Sequence, residues 1–302
     1  MKANLTLLFE KFLANKDIRT YKKSIIYYLL FRIFRNFLNG FIVVNINNFK
    51  IYVSASKKKA SYAILKKCDF DDQHEINILK KISDIGKIFF LDCGSNYGFY
   101  SFFVASLSND NKILAYEASS STINEFNRNL LLNSFTNTNC KNLAISDEVN
   151  RDMKLHESEN DWESSIYHSS FNKEIISKVK TTTIDFELKN YDLKNFILCI
   201  KLDIEGSEFN ALKGAKQVVK KFNPIFIIEI SKYNINQKNS NLHFFDNFLI
   251  ENNYIIFDLH QNEVTIEEIK KRITELDHNH KTIGNFYLIK NDDKIKRIFT
   301  DE

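Results

Sequence analysis

Proline, glycine and cysteine are scarce in this chain of 302 residues, which contains one proline, seven glycines and four cysteines. No low-complexity linker divides the sequence, and we expect a single folded domain with extensions. The cysteines, Cys68, Cys93, Cys140 and Cys199, are scattered without a C-x-x-C pair. They therefore predict no disulfide framework or thiolate metal site, but reduced and buried thiols, as in a cytosolic protein.

Long apolar runs are absent too. Residues 1–20 carry charges throughout and lack the continuous apolar core of a signal peptide, and no apolar run approaches the length of a membrane span. Hydrophobic residues make up 44% of the chain and charged residues 26%, which is ordinary for a soluble globular protein. The expected location is the cytoplasm, with peripheral contact to a membrane left open.

Acidic residues are nearly missing from the start of the chain. Residues 1–67 contain fourteen lysines and arginines but two acids, a net charge of +12, whereas the remainder carries a net charge of −8. An asymmetry of this kind indicates an anionic partner for the basic region.

An apolar stripe at helical spacing lies within this basic region. It consists of Ile25, Ile26, Leu29, Leu30, Ile33, Phe34, Phe37 and Leu38. The basic residues that flank or interrupt it are Lys22, Lys23, Arg32 and Arg35. Such a stripe most often docks on the protein's own sheet or forms a homodimer, which is the favoured interpretation. Contact with a membrane surface is the second, and nucleic acid ranks below both.

The most informative segment is residues 89–98, which reads FFLDCGSNYG. An apolar strand ends in Asp92 and breaks into a turn with Gly94 and Gly98, where glycine permits positive φ and close approach of a ligand. A helical pattern follows at once, and this order is how an open parallel sheet presents its first crossover to a nucleotide-like ligand. About twenty residues on, a second short strand ends in Glu117, where an acid accepts hydrogen bonds from two ribose hydroxyls.

The spacing of the turn separates the candidate ligands. A dinucleotide fingerprint needs glycine where this chain has Asn96 and Phe99, and no Gly-Lys-Ser/Thr of a P-loop follows Gly98. Asp-x-Gly-x-x-x-Gly is instead the pattern of S-adenosylmethionine sites, whose ligand carries an amino-acid end rather than phosphates. The alternative is an ordinary strand–turn–helix, and Glu117 in register favours the adenosyl site.

A second motif, ILCIKLDIEGSE at residues 197–208, brings Lys201, Asp203 and Glu205 to the end of another buried strand. Unpaired buried charges are costly, so the crowding needs a reason. One interpretation is an ion pair that closes the strand end, with Ser207 capping the next helix. The other, which we favour, is a catalytic carboxylate facing a transferred methyl group.

Together these motifs resemble the FkbM family of methyltransferases. The resemblance rests on DCGSNYG at 92–98, YE at 116–117, KLDIEGSE at 201–208, LKGA at 212–215 and PIFIIE at 224–229, with GNFYLI at 284–289 as a closing strand. It implies the class I methyltransferase fold, a Rossmann-like α/β sheet that is mostly parallel with an antiparallel last strand. It also implies methylation of hydroxyl groups, often on sugars or secondary metabolites. Ala118 departs from the proline that members commonly have there, and the family gives no role to the N-terminal extension.

The expected organisation is a basic N-terminal extension (1–70), packed on or appended to a methyltransferase domain (71–302) whose motifs span 85–232. We expect a hairpin at 41–53 and helices at 73–85, 98–107, 121–133, 207–221 and 240–252. We expect strands at 89–92, 113–117, 139–145, 197–203, 225–230, 254–259 and 284–290, the last two antiparallel. Residues 147–182 show no clean period, and residues 262–281 suggest an exposed insertion.

The candidate cofactor site follows from these motifs and the resemblance. The amino-acid end of S-adenosylmethionine is expected at Asp92, Gly94, Ser95, Asn96, Tyr97 and Gly98. The ribose is expected at Glu117, and the adenine beside Ala144 or Ile145.

The candidate catalytic group serves methyl transfer, which needs mainly alignment of the acceptor oxygen and a base for its proton. Asp203 is the candidate base, with Glu205 or Glu229 as substitutes. Lys201 would tune that carboxylate or bind an anionic acceptor. A divalent ion on Asp203 and Glu229 would serve instead by polarising the hydroxyl, but nothing in the sequence requires a metal.

The acceptor is expected to be a small molecule or glycan. The polar and aromatic residues of 156–170, His156, Trp162 and Ser165 among them, could fold over the site and touch it, unless they form a solvated loop. Pro224 is the single proline, so the Asn/Asp-Pro-Pro-aromatic motif of nucleic-acid amino-methyltransferases is absent, and no nucleic-acid substrate is expected. A non-catalytic cofactor-binding or protein-interaction module is the remaining alternative.

Overall fold

The computed structural model describes residues 2–14, 16–38, 40–55, 61–69, 72–158, 174–231, 240–276, 282–291 and 293–300. The strands are β1 (Phe41–Ile46), β2 (Phe49–Ser54), β3 (Ile88–Cys93), β4 (Lys112–Tyr116), β5 (Thr138–Lys141), β6 (Ala144–Ile145), β7 (Asp152–Ser158), β8 (Glu174–Thr182), β9 (Ile197–Leu202), β10 (Ile225–Ser231), β11 (Tyr254–Phe257), β12 (Glu263–Val264) and β13 (Thr282–Lys290). The α-helices are α1 (Lys2–Leu13), α2 (Ile25–Phe34), α3 (Tyr62–Lys67), α4 (Gln73–Ile85), α5 (Phe99–Leu107), α6 (Ser120–Asn133), α7 (Ile184–Leu188), α8 (Glu208–Lys213), α9 (Lys216–Phe222), α10 (Ser240–Asn252), α11 (Ile266–Thr274) and α12 (Asp293–Thr300). A short 3-10 helix spans Ile18–Tyr21.

An eight-stranded sheet with the order β12-β11-β13-β10-β9-β3-β4-β5 organises the chain. The strands from β10 to β5 in that order are parallel, and β13 lies antiparallel between β10 and β11. This is the class I methyltransferase arrangement, so the predicted fold class is confirmed. The glycine turn and the acidic strand ends meet at one edge because the carboxyl ends of parallel strands do so.

Helices cover both faces of the sheet. Helices α4, α5, α6 and α12 contribute to the apolar cluster on one face, and α8, α9, α10 and α11 to that on the other. Along β3, Phe90 joins the first cluster while Phe89 and Leu91 join the second, because successive side chains of a strand point to opposite faces. Strands buried on both faces read as continuous apolar runs, as residues 88–91 do.

The N-terminal hairpin forms as predicted, with β1 antiparallel to β2 and Asn47 in the left-handed region at φ 52. It packs on α5 and α6. The Phe49 and Phe102 rings lie 6.2 Å apart, and the Arg128 guanidinium lies 3.9 Å from the centre of the Tyr52 ring. The hairpin residues belong to the same apolar cluster as α4 and α5, so this region shares a core with the sheet.

The apolar stripe of α2 does not dock as predicted. Leu38 is buried, but Ile25, Leu29 and Ile33 are exposed, together with Ile26 and Phe37. The helix instead buries Tyr27 and Phe31. Packing on the protein's own sheet is therefore wrong for those five residues, because α2 turns Tyr27 and Phe31 inward against Phe9, with ring centroids 5.9 and 6.4 Å apart. In the described part of the chain, no helix is long and apolar enough to cross a bilayer.

The predicted strand over 139–145 is two strands in different sheets. β5 ends at Lys141, and β6 pairs parallel with β8 in a separate sheet of β6, β8 and β7. The chain bends at Asn142, whose side-chain amide donates hydrogen bonds to the carbonyls of Glu117 at 2.8 Å and Ala118 at 2.9 Å. That bend carries Ala144 away from the main sheet.

Two further expectations for elements are wrong. The predicted helix over 207–221 is interrupted at Gly214, where a Cβ would lie 2.3 Å from the carbonyl oxygen of Ser146. The residues expected as an exposed insertion form β12 and α11, which buries Ile266, Ile269 and Ile273 and begins with a Thr265–Glu268 capping box. Their spacing places them on one helical face, while the charged residues that suggested exposure occupy the other. Residues 277–281 lie outside the described residues.

Candidate functional site

A cavity of about 350 Å³ opens at the carboxyl ends of the central strands. Its lining includes Asp92, Gly94, Ser95, Asn96, Tyr116, Glu117, Ala144, Ile145, Lys201, Asp203, Glu205 and Glu229. Apart from Ala144 and Ile145, which form β6, these residues follow β3, β4, β9 and β10 or lie near their ends, where open α/β sheets bind ligands. The structure therefore gathers both sequence motifs around one space.

Backbone hydrogen bonds join the glycine turn and the end of β3 to the neighbouring strand ends. Backbone N–H groups of Gly94 and Ser95 donate to the carbonyl of Tyr116 at 2.9 and 3.1 Å, and the Asp203 N–H donates to the Cys93 carbonyl at 3.1 Å. Gly94 has φ +81, and a Cβ there would lie 1.9 Å from the Asp203 carbonyl oxygen. Only glycine lets β3, β4 and β9 converge this closely.

Glu117 joins the turn to the end of β4. Its Oε2 accepts a hydrogen bond from the N–H of Asn96 at 2.9 Å, and its Oε1 accepts one from the N–H of Ser119 at 2.8 Å. Burial raises the pKa of Glu117 to about 7. Each carboxylate oxygen has two lone pairs, so both can accept a further bond from a ligand hydroxyl.

Asp92 is buried and only half satisfied. Its Oδ2 accepts a hydrogen bond from Ser101 Oγ at 2.6 Å, whereas its Oδ1 and the Oδ1 of Asn96 have no hydrogen-bond partner among the described residues. An unsatisfied buried acceptor costs about 1–3 kcal/mol. Both residues line the cavity, so a ligand with N–H donors, such as the ammonium of an amino acid, fits this end.

Lys201 pairs with Asp203 at the end of β9. The distance from Lys201 Nζ to Asp203 Oδ2 is 2.5 Å, and Nζ lies 4.6 Å from the centre of the Tyr100 ring. Lys201 also lies beside Asp92 in the β3–β9 register. Burial by itself would lower the pKa of Lys201, but attraction to Asp203 and Asp92 outweighs it, and the pKa is raised above its usual value. The lysine is therefore a buried cation engaged by Asp203, which favours the tuning role over contact with an anionic acceptor.

Three carboxylates lie close together beside this pair. One oxygen from each of Asp203, Glu205 and Glu229 falls within 4.8 Å of the others. Burial, then repulsion from Asp203, Glu205 and Glu208, raises the pKa of Glu229 to about 9. Glu229 therefore holds a proton at neutral pH. Such a group could hold a divalent ion, but acidic groups commonly cluster without one, and the metal remains one alternative for it.

The turn after β9 is shaped by Glu208 and not by the expected serine cap. Ser207 makes no side-chain cap hydrogen bond. The Glu208 carboxylate instead accepts from the N–H of Ile204 at 2.8 Å and of Gly206 at 3.0 Å. Glu205 then adopts φ 52, a left-handed conformation that is rare without glycine or asparagine. This conformation places Glu205 in the cavity lining.

One wall of the cavity, which the sequence motifs did not predict, is built by α3, by two acidic residues between α3 and α4, and by β7. It contains Ala63, Ile64, Asp69, Asp72, Met153 and Leu155. Tyr100 donates a hydrogen bond from its hydroxyl to Asp72 Oδ2 at 2.9 Å, which ties this wall to α5. No spacing relative to the glycine turn marks Asp72. The alternation of Met153 and Leu155 with polar residues was a usable strand signal.

Some predicted site residues lie elsewhere. Tyr97 is buried behind the turn, where its carbonyl accepts a hydrogen bond from Asn129 Nδ2 at 3.1 Å, and Gly98 is the N-cap residue of α5. Neither residue lines the cavity. His156 lies on β7 opposite Ile176 and is also not in the lining, because the neighbouring Leu155 takes the inward side of that strand. Trp162 and Ser165 lie outside the described residues.

Comparison with known proteins identifies one family. Residues 92–256 match the family described as the methyltransferase FkbM domain, which is more than half of the chain. No curated protein sequence matches the chain.

Solved structures show distant similarity. An FkbM methyltransferase from Methylobacillus flagellatus KT is 17% identical with a TM-score of 0.40; the match covers 76% of this chain and 53% of that one, so this chain spans about half its length. A putative methyltransferase from Streptococcus mutans in complex with SAH is 8% identical over 72% of this chain and 95% of that one, with a TM-score of 0.42. A putative rRNA methylase from Clostridium thermocellum is 9% identical over 73% and 95%, also with a TM-score of 0.42.

Substitution Gly94→Ala tests the convergence of strands. We expect it to lower the free energy of unfolding in urea by about 2 kcal/mol more than Gly284→Ala does. Gly284 also has positive φ, +111, but nothing lies within 4 Å of a Cβ there. The control therefore measures backbone strain alone. Equal losses for the two variants would show that Gly94 is not limited by the Asp203 carbonyl.

Substitution Glu229→Gln tests the repulsion among the carboxylates. Since the pKa of Glu229 is raised from 4.5 to about 9, the folded protein keeps a proton that the unfolded chain releases, and this lowers wild-type stability as pH rises between those values. We expect the stability advantage of Glu229→Gln over wild type to be larger near pH 8.5 than near pH 4.5 by more than about 1 kcal/mol. Urea unfolding measures it, with the exposed Glu251→Gln as the control. An advantage that does not change with pH would contradict the raised pKa.

Proposed function

Because this chain belongs to the FkbM methyltransferase family, we propose that it transfers a methyl group from S-adenosylmethionine to a hydroxyl of a sugar, glycan or secondary metabolite. The observation that carries the proposal is the cavity in which the glycine turn, Glu117 and the Lys201–Asp203 pair meet. When bound, S-adenosylmethionine supplies an activated methyl group on a positively charged sulfur. The residues of this chain bind it, orient the acceptor and take up the released proton.

The cofactor-binding residues divide by chemistry along the cavity. Asp92 Oδ1 and Asn96 Oδ1, which lack donors among the described residues, would accept hydrogen bonds from the ammonium of the amino-acid end. Glu117 would accept from the ribose hydroxyls with its remaining lone pairs. Ala144 and Ile145, in the lining, would border the adenine.

Asp203 is the base in this proposal. An acceptor hydroxyl that gives its oxygen to the methyl group must lose a proton, and a carboxylate within hydrogen-bond reach takes it. Lys201 engages Oδ2 of Asp203 and fixes the carboxylate. Glu229, with its pKa raised to about 9, holds a proton at neutral pH and acts there as a hydrogen-bond donor to the acceptor.

The charge of the cavity favours a neutral acceptor. Seven acidic side chains line it, from Asp69, Asp72, Asp92, Glu117, Asp203, Glu205 and Glu229, against one lysine. Lys201 is buried and already paired with Asp203, so a phosphate or carboxylate on the acceptor would meet repulsion without a free cation in the described lining. A neutral polyhydroxyl compound suits this site better. A non-catalytic module, the alternative, would be expected to have its acceptor cleft filled by side chains. The open cavity favours the enzyme.

Calorimetric titration with S-adenosylmethionine tests the cofactor assignment. We expect Glu117→Ala to weaken binding about ten- to a hundred-fold, because a hydrogen bond to a charged group contributes about 1.5–3 kcal/mol. The matched control is Glu148→Ala, an exposed glutamate with 59% of its side chain accessible. Wild-type protein that is folded but does not bind S-adenosylmethionine would remove the basis of the proposal.

Transfer of radiolabelled methyl groups tests the base. We expect Asp203→Asn to lower turnover by about 10²–10⁴-fold, the usual contribution of a general base, while affinity for S-adenosylmethionine changes by no more than a few-fold. The exposed Asp84→Asn is the control, and neutral sugars are compared with phosphorylated ones as acceptors. If Asp203→Asn is unstable because Lys201 is left unpaired, the double variant Lys201→Met/Asp203→Asn replaces it. Undiminished turnover in either folded variant would assign the base elsewhere.

A further inference from the structure

The outward side of α2 is apolar. Ile25 is 76% exposed, Ile26 65%, Leu29 51% and Ile33 57%, and we call these four residues the α2 face. Fifteen large hydrophobic side chains are exposed in the described part of the chain, and eight of them lie between residues 7 and 37. Scattered exposed apolar residues are normal, but a concentration of this kind marks an interaction surface.

Two aromatic anchors fix the rotation of α2 and hence the exposure of this face. Tyr27 donates a hydrogen bond from its hydroxyl to the Leu65 carbonyl, and its ring stacks on Phe31 with 5.9 Å between centroids. Leu29 is two residues from each of them, which is about 200° around a helix. The α2 face therefore points away from the protein because its opposite side is anchored.

The surroundings of the α2 face are positively charged. Lys23, Arg32 and Arg35 are exposed beside it. Residues 1–67 carry a net charge of +12, whereas the rest of the chain carries −8. The covering partner must therefore be apolar where it meets the α2 face and anionic around it.

We propose that the α2 face docks on an anionic membrane surface, with α2 lying in the plane of the lipid headgroups. Amphipathic helices with basic flanks bind in this way, and each basic side chain near an anionic leaflet adds about five-fold to the affinity. A second copy of the chain fits less well, because a two-fold dimer brings the same patch of both subunits together and would set two regions of +12 against each other. The acidic remainder of the chain favours the orientation in which α2 faces the lipid.

Docking there would hold the cavity next to the membrane. The Tyr27 hydroxyl bonds to Leu65 on α3, and Lys22 Nζ lies 2.8 Å from Asp69 Oδ2. Asp69 and Ile64, the residue before Leu65, line the cavity. α2 is thus braced against a wall of the site. If the proposed function holds, acceptors displayed at the membrane surface are favoured.

Co-sedimentation with lipid vesicles tests the proposal. We expect the full chain to bind vesicles of phosphatidylcholine and phosphatidylglycerol in equal amounts, and to bind phosphatidylcholine vesicles far more weakly. The variant Leu29→Ser/Ile33→Ser should lose about ten-fold or more in affinity, and Arg32→Ser/Arg35→Ser about 25-fold. The control is Ile250→Ser on α10, an isoleucine that at 71% is more exposed than Leu29 and Ile33, and this variant should bind as wild type does.

Sedimentation velocity without lipid distinguishes an anionic membrane from a second copy of the chain as the partner of the α2 face. A dimer that the Leu29→Ser/Ile33→Ser variant abolishes, with no binding to anionic vesicles, would overturn the proposal and assign the α2 face to a second copy. Equal vesicle binding by wild type and both variants would also overturn it. The substituted residues are exposed and lie outside the cavity lining, so affinity for S-adenosylmethionine should be unchanged. If folded wild-type protein does not bind S-adenosylmethionine, that result would count against the proposed function and not against the docking surface.

Discussion

One buried cation, Lys201, offsets the repulsion among the acidic side chains that line the cavity. Lys201 contacts Asp203 at 2.5 Å, lies beside Asp92 in the sheet and faces the Tyr100 ring. Tyr100 in turn donates a hydrogen bond to Asp72, the residue before α4. Without this lysine, carboxylates from three separate parts of the chain would face one another with no cation among the described lining residues. The position of Lys201 is therefore the constraint that lets a strongly acidic cavity exist at the end of a buried sheet.

Burial, together with repulsion, gives chemically identical groups in the cavity different protonation states. Partial burial and three acidic neighbours raise the pKa of Glu229 to about 9. Burial raises the pKa of Glu117 to about 7, although hydrogen bonds from backbone N–H groups oppose this shift. When their environments give two such groups different pKa values, the protonated group can donate a hydrogen bond or proton and the ionised group can accept one. A positively charged ligand entering the cavity would relieve the repulsion, so ligand binding and stability of the folded chain are linked.

The sequence predicted the parts of the structure whose signal is local. Asp92, Glu117 and Asp203 each follow an apolar run, and the carboxyl ends of parallel strands must share an edge, so their meeting could be predicted. Asp72 could not, because its place in the wall depends on where Tyr100 points, which no spacing records. The bend after β5 depends on Asn142 reaching two carbonyls on another segment. The burial of α11 was signalled by Ile266, Ile269 and Ile273, but their charged neighbours were given more weight.

The apolar stripe of α2 shows a limit of a different kind. Periodicity identifies residues that share a helical face, but it does not say which face is covered. That is decided by tertiary anchors, here Tyr27 and Phe31, whose burial turns Leu29 outward. A chain that leaves an aliphatic face exposed in its most basic region carries both components of interfacial binding. The charge of +12 on one part and −8 on the other would then orient the bound protein, since an anionic surface attracts the first and repels the second. The segment around α2 and α3, for which the family pattern gives no role, therefore carries both the exposed apolar face and part of the cavity wall.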